Sequence, residues 1–336
     1  MSAMTDLAVV WSVILAFAVF AYVVLDGFDL GIGILMPFAQ SEKEEETMIN
    51  AIAPVWDGNE TWLVLGGGGL MAAFPLAYSV LLPALYAPLI AMLLALIFRG
   101  VAFEFRHRNP SHRRAWTLGF TLGSYVAAFA QGLALGTFIQ GIEVAGRAYA
   151  GGWFDWLTPF SLLTGAALAF GYALLGACFL IMKTKENLQE RMFGLALLLG
   201  VAALGFIAVV SLWTPFLSPD IRARWFSWPN IAFLSPVPLM VAAIAFGLFR
   251  SLARGREGMP FLMAILLFLV SYAGIGVSIY PYIVPRAITV WEAAAPDASL
   301  IFLLVGTAIL IPIILAYTGY SYWVFRGKVD STQGYH

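Results

Sequence analysis

Long charge-free apolar runs alternate with short polar segments along the whole chain. A helix of about 20 apolar residues can cross the ~30 Å hydrocarbon core of a bilayer. Eight such runs are present, at residues 7–25, 61–98, 115–142, 156–182, 192–219, 225–249, 258–285 and 298–325. The pattern predicts an all-α polytopic membrane protein. We expect residues 1–336 to form a single integral membrane domain whose helices are arranged in two bundles.

The second run, residues 61–98, is too long for one crossing, because a single helix over it would extend about 57 Å. We expect two crossings with a turn near Pro75 and Tyr78, the first of them short and rich in glycine. This makes nine spans, at approximately 7–25, 61–75, 78–98, 115–138, 158–182, 193–213, 231–249, 260–281 and 299–325. The alternative is eight spans, with residues 61–75 as a half-helix in the outer leaflet.

The distribution of lysine and arginine predicts the orientation, because cytoplasmic segments carry an excess of both. With nine helices and a periplasmic N-terminus, the basic residues left outside are Arg147, Arg222, Arg224 and Arg286. With eight helices only Lys43 changes side, and in both topologies the C-terminus is cytoplasmic. No basic segment precedes the first run, so we expect a retained span rather than a signal peptide.

The composition agrees with a membrane protein, since 61% of the 336 residues are hydrophobic and only 11% are charged. A soluble domain carries about 25% charged residues, so a soluble enzyme is excluded. A net charge of −1 provides no basic surface for nucleic acid. Cys178 is the single cysteine, which excludes an internal disulfide and a multi-cysteine metal cluster.

The three histidines all lie outside the predicted spans. His107 and His112 belong to a basic segment, and His336 is the C-terminal residue. Haem iron in a membrane bundle is usually held by histidine or methionine, and methionine in an apolar helix is far more often a packing residue. A histidine-ligated haem within this chain is therefore excluded. The sequence also contains no zinc-site spacing and no phosphate-binding glycine motif.

Ionisable residues at the ends of the predicted spans are the candidates for a proton route or an ion site, namely Asp26, Asp29, Asp57, Glu60, Arg99 and Glu104. Each acidic pair is spaced by three residues, which places both members on one helix face. A carboxylate at membrane depth costs about 2.5–3.5 kcal/mol unless it is paired or hydrated, and Arg99 is the expected partner. The structural alternative is that the acids only cap helix N-termini.

Two other charged groups receive no catalytic role. The stretch Glu42–Glu46 is expected to be a solvated loop. Arg286 and Glu292 lie on the opposite side, among several tryptophans, and fit an interfacial aromatic belt with its counter-charges.

Several motifs together resemble subunit II of cytochrome bd-type quinol oxidases. They are LDGFDLGIG at 25–33, PVWDGNETW at 54–62, FRGVAFEFR at 98–106, GYALLGA at 171–177 and TVWEA at 289–293. The first motif is weak alone, but the first three in this order and spacing are specific, and the resemblance covers essentially the whole chain. The compact length is most similar to the cyanide-insensitive branch of that family.

The resemblance implies a subunit of a bacterial inner-membrane complex that oxidises membrane quinol and reduces O2 to water. Two b-type haems, one haem d and the quinol site would belong to a partner, subunit I. The resemblance also implies nine helices and a cytoplasmic proton route along the subunit interface, which by motif would involve Asp29, Asp57 and Arg99. A small third subunit and contacts with membrane quinone and lipid are left open.

Two other interpretations compete with this one. A secondary transporter often has broken, glycine-containing helices, which Gly66 to Gly69 could provide. A transporter should also place charges near the midplane, whereas the nine predicted spans contain no formal charge. A purely structural subunit differs from the favoured interpretation only in giving Asp29, Asp57 and Arg99 no part in the reaction.

Overall fold

The computed structural model describes residues 3–329, and apart from two short hairpins their regular structure is helical. The α-helices are α1 (Ala3–Leu35), α2 (Glu42–Ile52), α3 (Trp56–Ala73), α4 (Pro75–Ala84), α5 (Tyr86–Arg108), α6 (Arg113–Gln140), α7 (Pro159–Lys183), α8 (Glu186–Leu217), α9 (Pro219–Phe226), α10 (Asn230–Leu234), α11 (Pro236–Ala253), α12 (Met259–Ile279), α13 (Val290–Ala293) and α14 (Asp297–Val324). Short 3₁₀ turns occupy Met36–Phe38 and Pro110–His112. The antiparallel hairpins pair β1 (Val144–Ala145) with β2 (Ala148–Tyr149), and β3 (Tyr282–Val284) with β4 (Ile288–Thr289).

The core is built around α1, which packs against α3, α6 and α7. Its closest approach to α7 depends on glycine, because a Cβ on Gly31 would lie 1.9 Å from the carbonyl oxygen of Tyr172. A Cβ on Gly176 would in turn lie 2.6 Å from the backbone of Gly31. Small residues of this kind allow two helix backbones to approach closely in a membrane. The helices α11 and α12 pack on each other, and α12 also contacts α1, α7 and α9 while α11 contacts α8. The predicted division into two bundles stays a prediction.

The first helix is longer than predicted. It continues without a break from the expected end at Leu25 to Leu35. The glycines in this stretch disfavour a helix in isolation, but the segment is buried against α6 and α7, and tertiary packing supplies most of the stability of a helix in a protein. Asp26 and Asp29 therefore lie inside an apolar helix, and the expectation that the spans contain no formal charge is wrong.

The predicted turn within residues 61–98 is present, but the second crossing begins later than expected. Helix α3 ends at Ala73, where Phe74 leaves helical geometry and Pro75 follows. Proline disfavours a helical conformation in the residue before it, which explains the position of the break. The short helix α4 then packs against both hairpins and α13, so α5 starts at Tyr86 rather than at residue 78.

Among residues 3–329, eight helices are long and apolar enough to cross a membrane. They are α1, α5, α6, α7, α8, the α10–α11 pair, α12 and α14. Helix α3 is outside this group, although its 18 residues would extend about 27 Å. The choice between nine and eight crossings stays a prediction.

The expectation of a solvated loop at Glu42–Glu46 is wrong, because these residues open helix α2. Ser41 caps the helix by accepting a hydrogen bond from the Glu44 backbone N–H. The acids of the first turns then pair with arginines of neighbouring helices. Acidic residues in a first helical turn complement the helix dipole, so the local sequence favours this helix once partners are present.

Candidate functional site

A cluster of ionisable side chains lies inside the helix bundle, where α1, α3 and α5 meet. It consists of Asp26, Asp29, Glu60 and Arg99, and we call it the acid–arginine cluster. Asp26 and Arg99 are each 1% exposed and Asp29 is fully buried. The Nη1 atom of Arg99 lies 2.7 Å from Glu60 Oε1 and 3.4 Å from Asp26 Oδ1. One guanidinium thus forms ion pairs with two of the three carboxylates.

Aromatic rings enclose the Arg99 guanidinium. Its central carbon lies 5.9 Å from the ring centre of Trp56 and 5.5 Å from that of Phe120. The space beside it depends on a glycine, because a Cβ on Gly123 would lie 3.1 Å from the Arg99 Cβ. Cation–π contacts are strongest when the cation is desolvated, so these rings favour a charged Arg99 at this depth.

Asp29 is held by a neutral hydrogen-bond chain that reaches α14. Asn59 Nδ2 donates to Asp29 Oδ2 at 2.7 Å and to the Leu25 carbonyl oxygen at 3.2 Å. The Tyr322 hydroxyl donates to Asn59 Oδ1 at 2.9 Å. The sequence analysis missed both residues. Asn59 could have been found, since it lies between two predicted site residues, but Tyr322 lies in a long apolar helix with no local signal.

A second polar chain leads away from Asp26 between α1, α6 and α7. Tyr172 donates to Gln131 Oε1 at 2.7 Å, and Gln131 Nε2 donates to the Tyr22 hydroxyl at 2.8 Å. Tyr22 stands one helical turn before Asp26 on the same face of α1. Tyr172 also explains why residue 27 is glycine, because a Cβ there would lie 2.7 Å from its ring.

Two of the six predicted site residues lie outside the cluster. Glu104 is 54% exposed and its ion-pair partner is Arg108, at 3.9 Å on the same helix. Asp57 is exposed in the first turn of α3, where a carboxylate complements the helix dipole. Glu60 follows one turn later with 27% of its side chain exposed, so the cluster reaches the surface of this chain near Asp57.

The acids of α2 bind arginines from three other helices. Arg191 of α8 binds Glu44 through two hydrogen bonds of 2.7 and 3.0 Å. The Glu45 carboxylate lies 2.8 Å from Arg106 Nη2, and Glu46 lies 3.1 Å from Arg113. The hydrogen bonds from Arg191 hold the pKa of Glu44 below its usual range. These ion pairs fasten α2 to one end of the bundle.

The charged residues Arg286 and Glu292, at the end of the bundle opposite α2, form hydrogen bonds that stabilise the local backbone. Glu292 and Thr289 form a reciprocal capping box at the start of α13. Arg286 has a positive φ of 67° and donates to the Leu217 carbonyl oxygen at 3.1 Å. Arg224 donates to the carbonyl oxygens of Val277 and Tyr280.

The residues that the structure describes provide no metal site made of clustered side chains. Within residues 3–329, no group of three or more histidine, cysteine, aspartate or glutamate side chains is placed to hold a metal ion. His112 is exposed in a 3₁₀ turn, and His107 follows the apolar span that ends at Arg106. His336 lies outside the described residues.

Comparisons with known proteins agree on one family. The family model described as "Cytochrome bd terminal oxidase subunit II" matches residues 7–325. A "Probable cytochrome oxidase subunit 2" of Haemophilus influenzae is 29% identical, covering 96% of this chain and 95% of that protein. The "Cytochrome bd-I ubiquinol oxidase subunit 2" of Escherichia coli K12 is 27% identical, covering 95% and 94%.

A solved structure gives the same result for the fold. The bd oxidase from Geobacillus thermodenitrificans contains a chain that superposes with a TM-score of 0.78. The match covers 95% of this chain and 98% of that one, at 17% sequence identity. The two chains therefore share a fold.

Proposed function

This chain belongs to the cytochrome bd terminal oxidase subunit II family, and on that premise we propose that it scaffolds a haem-bearing subunit I and gives cytoplasmic protons access to the site of O2 reduction. Membership makes it a multi-pass protein of the bacterial inner membrane and a subunit of a quinol oxidase, an oxidoreductase complex. The family also implies a partner subunit I. Family membership does not by itself give this chain the scaffolding role or the proton access, and both are therefore proposals.

The acid–arginine cluster carries the proposal. Three carboxylates and one guanidinium would hold two excess negative charges if every acid were ionised. Charge buried in a low-dielectric interior is costly unless it is paired. Neighbouring carboxylates also resist ionising together, and we propose that the cluster holds a proton among them. The cluster is thus built to take up and release protons.

Surface access is proposed through Glu60. It is the member of the cluster with substantial exposure, and it touches Arg99 directly. Asp57, one turn earlier on the exposed side of α3, is placed to collect protons for it. The route proposed is therefore Asp57, Glu60, and then the Asp26 and Asp29 carboxylates beside Arg99. Glu104 is left out of the route because its contacts lie elsewhere.

The energetic role of such a route follows from charge separation. Reduction of O2 to water consumes protons at a buried site, and quinol oxidation releases protons. If uptake occurs from the cytoplasm and release occurs outside, charge crosses the membrane. Each elementary charge moved against 100 mV stores about 2.3 kcal/mol.

We place the haems in subunit I, because the histidines of this chain lie outside its apolar spans. This chain would contribute apolar faces to the complex. A small third subunit, membrane quinone and lipid are further candidates for contact with those faces. The transporter alternative is not favoured, because α3 continues as a helix through Gly66 to Gly69. The four glycines therefore do not interrupt α3, whereas transporters have helices that are interrupted at their binding sites.

The proposal is tested by Asp29→Asn in the assembled complex. The variant keeps the size of the side chain but cannot carry a proton as a carboxylate, so quinol oxidase turnover and proton uptake should fall about tenfold or more. Haem content should be retained, which separates a transport defect from failed assembly. Glu104→Gln is the matched control, an acid near the same membrane face outside the cluster, and should leave turnover unchanged.

A second variant, Asp57→Asn, tests the surface step. Turnover should fall less than in Asp29→Asn, because an exposed site can be bypassed by water. Normal turnover and proton uptake in both variants would contradict the proposal and would show that these acids serve only in helix capping and structural charge pairing.

A further inference from the structure

The side-chain amide of Asn59 uses both of its N–H donors and accepts one hydrogen bond, all in a single orientation. The carbonyl oxygen of Leu25 can only accept, so the amide NH2 group must face it. The second N–H of that group then points to Asp29 Oδ2, and Asn59 Oδ1 receives the hydroxyl of Tyr322. A reversed amide would place two oxygens against each other at Leu25. The orientation is therefore independent of whether Asp29 is ionised or protonated.

This arrangement makes the two oxygens of Asp29 chemically different. Oδ2 accepts a hydrogen bond from the Asn59 amide in both protonation states, because the amide cannot turn round. Oδ1 is buried and has no hydrogen-bond partner among residues 3–329. In a protonated carboxyl group the carbonyl oxygen accepts hydrogen bonds better than the hydroxyl oxygen does. The stable protonated form is therefore the one in which Oδ2 is the carbonyl oxygen and Oδ1 carries the proton.

We propose that Asn59 and Tyr322 are positioning residues that confine proton exchange at Asp29 to its Oδ1 atom. Tyr322 acts through Asn59, since its hydroxyl fixes and polarises the amide. The contact also joins the end of α14 to α3, across 263 positions of sequence. The inference rests on the proposed proton access and adds two residues and one atom to it.

Infrared difference spectra of the oxidised and reduced complex provide a direct test. A protonated Asp29 should contribute a carboxylic C=O band, identified by its loss in Asp29→Asn. In Asn59→Ala the carbonyl oxygen Oδ2 loses its donor, so this band should shift to higher frequency. Turnover should also fall about tenfold, in line with the loss of one hydrogen bond.

Tyr322→Phe is the second variant, and it keeps the ring contact with Phe28. It should shift the band in the same direction by a smaller amount, because the amide is then less polarised. Tyr320→Phe is the matched control on the same helix, where the side chain is 64% exposed, and should leave the band in place. A purely structural role for Asn59 would lower the yield without moving the band.

The outcomes separate the two proposals. A band that disappears in Asp29→Asn but stays unshifted in both the Asn59 and Tyr322 variants overturns the positioning role and leaves proton access intact. If Asp29→Asn removes no band and keeps normal turnover, proton binding at Asp29 is overturned, and the positioning role falls with it.

Discussion

Arg99 is the cation that the three carboxylates of the acid–arginine cluster share. Arg99 is buried among aromatic rings, so water cannot take over its role of compensating the charge of these carboxylates. A single residue of this kind decides whether the neighbouring acids can be buried at all. Its loss should therefore affect assembly more than the rate of an assembled complex.

Arg99→Ala should reduce the yield and thermal stability of the complex. Removing one partner from a buried charge group costs about 3–5 kcal/mol, because the remaining charges are left uncompensated. The measurement is the amount of haem-containing complex recovered from membranes, together with its melting temperature. Arg108→Ala is the control, since that arginine is 76% exposed. Wild-type yield of Arg99→Ala would show that the cluster is neutral without its arginine.

At the scale of elements, the crossing of α1 and α7 depends on backbone contact at Gly31 and Gly176. No side chain fits between the two helices at this point. The acidic residues of α1 are held in place by this crossing, since Asp29 lies two residues before Gly31. Packing and site geometry are thus linked through one helix pair.

Gly31→Ala should destabilise the subunit by about 1–3 kcal/mol, the usual cost of overpacking. The added methyl group would meet the Tyr172 carbonyl oxygen and force the helices apart. The melting temperature of the complex in detergent measures the effect. Gly194→Ala in α8 is the control, because a Cβ there has no atom within 4 Å. Equal melting temperatures for the two variants would contradict the close crossing.

The position of α2 bears on the number of crossings. Its acids bind Arg106, Arg113 and Arg191, so α2 lies at the same end of the bundle as the segments that join α5 to α6 and α7 to α8. Those segments are basic and predicted to be cytoplasmic. If α2 is cytoplasmic too, the chain must cross twice between residues 53 and 99, once as α3 and once as α5. This favours nine crossings.

Cysteine labelling tests this topology in a Cys178→Ser background. Lys43→Cys in α2 and Arg254→Cys after α11 should both react with an impermeant reagent only from the cytoplasmic side. Arg147→Cys, in the turn between β1 and β2, is the control that should react from the periplasm. Labelling of Lys43→Cys from the periplasm alone would support eight crossings instead.

At the scale of the whole molecule, burial is uneven. In the most apolar stretches, 67% of residues are buried in α7 but only 6% in α14. A subunit that keeps polar groups inside and large apolar faces outside suits a place within a membrane complex. We expect the chemistry of the complex to be divided between its subunits.

The isolated chain should bind no stoichiometric haem. Its histidines lie outside the apolar spans, so the described helices provide no histidine pair for an iron ion. Absorption spectra of the chain expressed alone measure this, and co-expression with subunit I, which should bring haem into the purified complex, is the control. Stoichiometric haem with a defined ligand in the isolated chain would contradict the division between subunits.

The sequence by itself determined the membrane class, the approximate positions of the long apolar helices and the four members of the buried cluster, but it missed the short helix α2. These follow from properties that act locally, namely the length of an apolar run and the high cost of a charge within it. The same local signals placed the end of α1 and the start of α5 wrongly. Helix ends there depend on contacts with α7 and with the hairpins rather than on composition.

Only the tertiary structure decided which polar groups meet. Asp57 and Glu104 have carboxyl side chains like that of Glu60, yet among these three only Glu60 forms an ion pair with Arg99. Asn59 and Tyr322 are far apart in sequence and gave no shared signal. Their contact arises because helix packing brings α3 and α14 together, and a hydrogen bond depends on distances of a few tenths of an ångström that no local pattern encodes.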